Sequence, residues 1–125
     1  MASRWKELVI DADHPARLAR FWAQALEGYA IRPYDAAEIA RLAALGLTPE
    51  TDPVVMVDGP GPTLCFHLRK GPRPHRNRLH LYLAAENPAA EVARLVGLGA
   101  RVWREEATYT TLRDPEGNPF CVVGG

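Results

Sequence analysis

Apolar and polar residues alternate most cleanly over residues 77–83, NRLHLYL, where Leu79, Leu81 and Leu83 take one side and Arg78, His80 and Tyr82 the other. A period of two predicts a strand over about 78–84 with one face on a core. Asn87-Pro88 then supplies an N-cap and a first-turn proline, so a helix follows over 88–98, stopped near Gly97 and Gly99. The same order occurs near the N-terminus. Residues 4–11 read as a strand with Leu8 and Ile10 toward the core and Trp5, Glu7 and Val9 away from it. Asp13 or His14 caps a helix in which Leu18, Phe21, Trp22, Ala25 and Leu26 recur at helical spacing until Gly28 ends it. The two copies stand at a constant offset of 73 residues, His80 over Glu7 and Pro88 over Pro15. The chain therefore reads as one unit written twice, with Glu7 and His80 at equivalent positions.

Between the copies the pattern fills in. Residues 29–33 form a short strand, and residues 36–47, AAEIARLAALGL, form an amphipathic helix that the second copy lacks, closed by Gly46 and Pro49. A strand over 54–57 and the turn Gly59-Pro60-Gly61-Pro62 lead into another strand, 63–68, with Leu64, Phe66 and Leu68 on one face and Cys65 and His67 on the other. Residues 69–76, RKGPRPHR, link the copies; this basic, proline-rich stretch is either a solvated connector or an anion clamp at the rim of a pocket. After the second helix come strands over 101–105 and 108–112, a turn at 114–118, DPEGN, and a last strand over 119–123 with Phe120 and Val122 on the core side and Cys121 opposite. Each copy is β-α-β-β-β. The fold class is α+β, with one helix on one face of a small, mostly antiparallel sheet in each module, about 4–68 and 77–125.

Composition narrows the function. At 125 residues the chain is one domain by size, and its 47% apolar content suffices for a core without disulfides or a structural metal. Fifteen basic residues balance fifteen acidic ones, so no global field draws it to nucleic acid or an anionic membrane surface. No apolar run approaches the roughly 18 residues of a membrane span, and MASRWKEL carries no signal-peptide core, which places the protein in the cytoplasm. In that compartment Cys65 and Cys121 are expected as free thiols rather than a bridge.

Parity turns Glu7, Cys65, His67, Arg78, His80, Tyr82 and Cys121 away from the helices, together with one alternating set from Tyr109, Thr111 and Arg113. If two such sheets pair and curve, these faces line a cup suited to a polar ligand or a metal. The opening LVIDADHPARLARFWAQAL, the Phe21-Trp22 pair, NRLHLYL with its capped helix, and LRDPEGNPFCV resemble the vicinal oxygen chelate superfamily, in particular its glyoxalase-like and bleomycin-resistance-like members. The resemblance spans almost the whole chain. It implies two βαβββ modules forming an open eight-stranded half-barrel, often as a homodimer, and in the enzymes a divalent metal held by one side chain from the first and one from the last strand of each module. Carried over, the ligands fall on Glu7, His67, His80 and Cys121, where such enzymes more often have His at the first position and Glu at the last. Two imidazoles and a carboxylate suit Fe(II), Mn, Ni or Zn, and a thiolate favours Zn. Taken singly, each has a plainer reading: His80 hydrogen-bonded within its strand, Cys121 a small buried hydrophobe, Glu7 solvated; His14 and His75 are expected in solvent.

Two functions follow. In the first, a lyase, isomerase or dioxygenase, the ion chelates neighbouring oxygens of a small substrate; Glu7 is ligand or catalytic base, and Arg78 and Tyr82 position an anionic substrate. In the second, a metal-free protein sequesters a small aromatic or cationic compound, with Trp5, Tyr82, Trp103 and Tyr109 as stacking surface and Glu7 as countercharge. The altered ligand set argues against the glyoxalase I reaction itself.

Overall fold

The computed structural model describes residues 2–125, and the chain divides between Gly71 and Pro72, inside the expected linker, into two compact units. The N-terminal unit contains β1 (Glu7–Ala12), α1 (Pro15–Ala25), β2 (Ala30–Ile31), α2 (Ala36–Ala44), β3 (Val54–Asp58) and β4 (Thr63–Leu68). The C-terminal unit contains β5 (Leu81–Ala85), α3 (Pro88–Leu98), β6 (Arg101–Glu105), β7 (Tyr109–Arg113) and β8 (Pro119–Gly124). Each is β-α-β-β-β, with α2 inserted in the first. The sheet orders are β1-β4-β3-β2 and β5-β8-β7-β6. In each, the first strand runs parallel to the last and the other pairs are antiparallel. Among the described residues no helix is long and apolar enough to cross a membrane.

Helix α1 packs on the first sheet because its apolar positions fall on one side. Pro15 sits in the first turn, and Ala16, Leu18, Ala19, Phe21, Trp22 and Ala25 are buried. Opposite them stand Val55, Val57, Leu64 and Phe66, the alternate residues of β3 and β4, all buried. Full burial of side chains such as Leu18 or Phe66 contributes about 2 kcal/mol each. Phe21 and Trp22 meet edge to face, centroids 5.2 Å apart, and are core residues as their spacing predicts. The turn after β3 wraps the Tyr29 ring. Its hydroxyl donates to the Pro62 carbonyl at 3.0 Å, and a Cβ at Gly59 would come within 2.4 Å of the ring, which explains the glycine.

In the second unit Asn87 caps α3 by accepting the Ala90 N–H, and Gly99 closes it at φ 122°. Leu95 is the one fully buried residue of α3; Leu112, Phe120 and Val122 form the rest of this smaller core. The DPEGN turn is built around Asp114. Its carboxylate is fully buried and accepts from the Glu116 N–H, the Asn118 N–H and the Asn118 side-chain amide. Two of the linker's guanidiniums have partners within their own units. Arg69 pairs with Asp13, and Arg73 donates to the Glu116 carbonyl and to Asn77.

One boundary moves. The alternation places a strand from residue 78, yet β5 begins at Leu81, and Leu79 is 72% exposed instead of buried. The cause lies in β8. In the first unit the Thr63 N–H donates to the Lys6 carbonyl, extending the β1/β4 ladder; at the equivalent place in the second unit stands Pro119, which has no N–H. The ladder stops one step early, leaving Arg78, Leu79 and His80 outside it and exposed.

Candidate binding face

Strand register defines a face of the first sheet turned away from α1. Glu7, Val9 and Asp11 of β1 stand beside Thr63, Cys65 and His67 of β4. Val54 and Met56 of β3 stand opposite His67 and Cys65. Asp58 closes the row, accepting a bidentate pair from Arg32 at 2.8 and 2.9 Å and the Thr63 hydroxyl at 2.8 Å. The Arg32 guanidinium holds the Asp58 carboxyl below the usual range. Cys65 Sγ lies 3.1 Å from His67 Nε2. Burial, and then the charge of Glu7, push the Cys65 thiol up, so it rests as a neutral thiol and not as a nucleophilic thiolate.

Of the four residues carried over as metal ligands, two lie in each unit, and the pair in the first unit stands apart. Glu7 pairs with Thr63 at one end of the β1/β4 ladder, whereas His67 pairs with Asp11 at the other. Four residue steps separate them, about 13 Å at the usual rise. Side chains that stand perpendicular to the sheet do not close that distance on one ion. The repeat explains the mismatch. Val9 pairs with Cys65 as Tyr82 pairs with Cys121, so the counterpart of Cys121 is Cys65; His67 matches Val123. The turn glycines carry that signal in the sequence, since each cysteine follows one by four residues, Gly61 to Cys65 and Gly117 to Cys121. His80 is exposed ahead of β5. Cys121 is buried, its sulfur 3.3 Å from the Thr111 hydroxyl. Among the described residues no three His, Cys, Asp or Glu side chains gather to hold a metal ion. Within the first sheet, Glu7 and His67 do not fit as joint ligands of one ion.

Of the residues expected to touch a ligand, Trp5 lies in the N-terminal unit and the others in the C-terminal unit. Tyr82 and Cys121 are cross-strand neighbours with Thr111 beside them, and Cys121, by its charge and a hydrogen bond, pushes the Tyr82 phenol up. Tyr82 is 64% exposed and offers its ring to solvent. Tyr109 faces Val123 on the same side of β7 as Thr111 and Arg113. Trp103 sits where β6 departs from regular register, and the Arg113 guanidinium lies 4.1 Å from its ring centroid with Arg104 at 5.4 Å. Part of its stacking surface is thus already covered. Trp5, 71% exposed, precedes β1 and donates its indole N–H to the Glu7 carbonyl. Arg78 lies outside β5 and is exposed.

What the sequence pattern did not reveal is a cavity of about 340 Å³ in the N-terminal unit. Arg32, Pro33, Tyr34, Asp52, Val54 and Met56 line it together with Asp35, Glu38 and Arg41 from the start and outer face of α2. Val54 and Met56 belong to the sheet face just described. The inserted helix is stabilised internally by its own cap, Asp35 accepting the Glu38 N–H, and by a bidentate Glu38–Arg41 pair. Asp52, 5% exposed, accepts the Tyr34 hydroxyl at 2.8 Å and the Val54 N–H at 3.0 Å. Burial, and then Asp52, push the Tyr34 phenol far up, so it is a donor at any ordinary pH.

No curated protein matches the chain in sequence. Solved structures do match in fold. They include a glyoxalase-related enzyme from Fulvimarina pelagi (11% identity over 99% of this chain and 89% of that one, TM-score 0.67). A trypanothione-dependent glyoxalase I from Leishmania major aligns at 17% identity over 98% and 87%, TM-score 0.63. A glyoxalase/bleomycin resistance protein from Albidiferax ferrireducens T118 aligns at 19% over 98% and 99%, TM-score 0.59. At these identities the likeness shows the fold: two βαβββ modules with eight strands, the vicinal oxygen chelate arrangement the sequence resembles. A profile of the glyoxalase-like domain matches residues 7–123, and with that match over nearly all of its length the chain belongs to the glyoxalase-like domain family.

Proposed function

We propose that this protein is a small-molecule binding member of the family, taking its ligand in the cavity between β3 and α2 without a metal. One observation carries the reading: an inserted helix, absent from the second module, walls off about 340 Å³ over the open face of the first sheet. That volume lies within the range of ligand pockets, and its lining sets Val54, Met56, Pro33 and Tyr34 beside five charged side chains, which favours a ligand with a charged or polar group on an apolar body. The separation of Glu7 from His67 supports the metal-free form of this reading over an isomerase, lyase or dioxygenase built on Glu7, His67, His80 and Cys121.

A thermal-shift screen of small organic compounds, each run with and without EDTA, tests it. A compound that raises the melting temperature equally in both conditions is the expected result, because binding to the native state alone stabilises by mass action. Stabilisation that disappears with EDTA and returns with Zn, Ni, Mn or Fe(II) refutes the metal-free reading and restores the enzyme hypothesis.

A further inference from the structure

The charges around the α2 cavity are unevenly matched. Five ionisable side chains besides Tyr34 line it: Arg32 and Arg41 against Asp35, Glu38 and Asp52. Both guanidiniums are committed. Arg32 forms its bidentate pair with Asp58, outside the lining, and Arg41 forms its pair with Glu38. Among the described residues neither Asp35 nor Asp52 has a cation within ion-pair distance. Asp35 is partly compensated by the helix N-terminus it caps. Asp52 is buried and has only neutral donors, the Tyr34 hydroxyl and the Val54 N–H, one on each oxygen.

That arrangement discriminates between ligand charges. An anion entering the cavity meets a carboxylate that has no ion-pair partner and recruits a guanidinium only by breaking an existing pair. A cation meets Asp52 with one lone-pair direction left on each oxygen, at a wall whose dielectric is lower than that of water. Those remaining lone pairs call for N–H donors, which a primary ammonium has and a quaternary one lacks. Beside Asp52, the Val54, Met56 and Tyr34 side chains offer apolar surface to the same cavity.

We infer that the cavity recognises a protonated primary amine on a compact apolar body, with Asp52 as counter-ion, Tyr34 orienting it, and Val54 and Met56 receiving the body. The inference rests on the reading of this cavity as the protein's ligand site. Its specificity comes from the insertion, since α2 has no counterpart in the second unit.

The test is isothermal titration of the full chain at pH 7 with matched pairs that share a body and differ in charge: phenethylamine against 3-phenylpropanoate, isopentylamine against 4-methylpentanoate. The expected result is amine binding at least tenfold tighter than its carboxylate partner. Asp52→Asn, which keeps an acceptor for the Val54 N–H, should lower amine affinity tenfold or more. Met56→Trp, which fills the cavity, should abolish it, and Arg41→Gln, which removes a cation from the wall, should tighten it several-fold. Carboxylates binding as well as amines, with Met56→Trp abolishing both, overturn the charge assignment and leave the cavity as the ligand site. Amine binding that Met56→Trp leaves unchanged, or no binding by any probe, overturns both.

Discussion

Replacing Asp114 by Ala tests the account of the C-terminal unit most directly. The carboxylate is fully buried and accepts three hydrogen bonds at 2.9, 2.9 and 2.8 Å, two from backbone N–H groups of its own turn and one from the Asn118 side chain. Hydrogen bonds to a charged acceptor contribute about 1.5–3 kcal/mol each, and unpaired buried donors cost about 1–3 kcal/mol. Glu116 and Asn118 are only half-buried, so water reaches part of the loss, and the three together give a cost of about 3 kcal/mol. For a chain of this size that corresponds to roughly 10 °C in Tm. Asp114→Asn separates charge from geometry. It keeps one acceptor oxygen for the two backbone donors and loses the bond to the Asn118 amide, so it should cost about half as much. Urea denaturation followed by circular dichroism, with thermal melts beside it, measures both. A cost below about 1 kcal/mol for Asp114→Ala, or Asn costing more than Ala, refutes the claim that this carboxylate organises the turn.

Two further predictions concern the strands. Pro119→Thr supplies the missing N–H, so the Leu79 carbonyl should gain the bond that Lys6 receives from Thr63; hydrogen exchange should show new protection at residue 119, and unchanged exchange there refutes the account of where β5 starts. Cys65, whose thiol burial and Glu7 push up, should react with a disulfide reagent far more slowly than the unfolded chain at pH 8. Because the folded thiol holds its proton to higher pH than the unfolded one, stability should be unaffected below pH 8 and fall as pH rises past about 8.5; a Cys65→Ser variant with the same alkaline loss refutes the assignment.

Much of the fold was legible because local and global signals agree. The periods of two in β1 and β4 and the capped helix start at Asn87 survive folding as written, and so does the duplication, whereas His14 stands at the start of α1 without a side-chain capping bond. The start of β5 was not legible from alternation, because the residue that ends it is 40 positions away: Pro119 decides what Leu79 can pair with. The site was read less well for a related reason. Parity placed Glu7, Cys65 and His67 on one face correctly, but a face is about as long as its strands, and parity carries no information about which end of a ladder a residue occupies. Register settles that, and register belongs to the pairing of two strands, not to either one.

The α2 cavity shows the opposite relation between sequence and function. Asp35, Glu38 and Arg41 come with the inserted helix, which has no partner in the repeat, so no equivalence argument reaches them. What gives Asp52 its character is context. The same side chain on the surface would be a solvated anion, but here Tyr34 and the Val54 N–H take its neutral bonds while both nearby guanidiniums are held elsewhere. A buried carboxylate with hydrogen bonds but no ion pair is favourably placed to receive a group of opposite sign. Asp52 stands at one wall of a cavity large enough for a small molecule, and in the proposed reading the ligand brings that group and takes its sign from it.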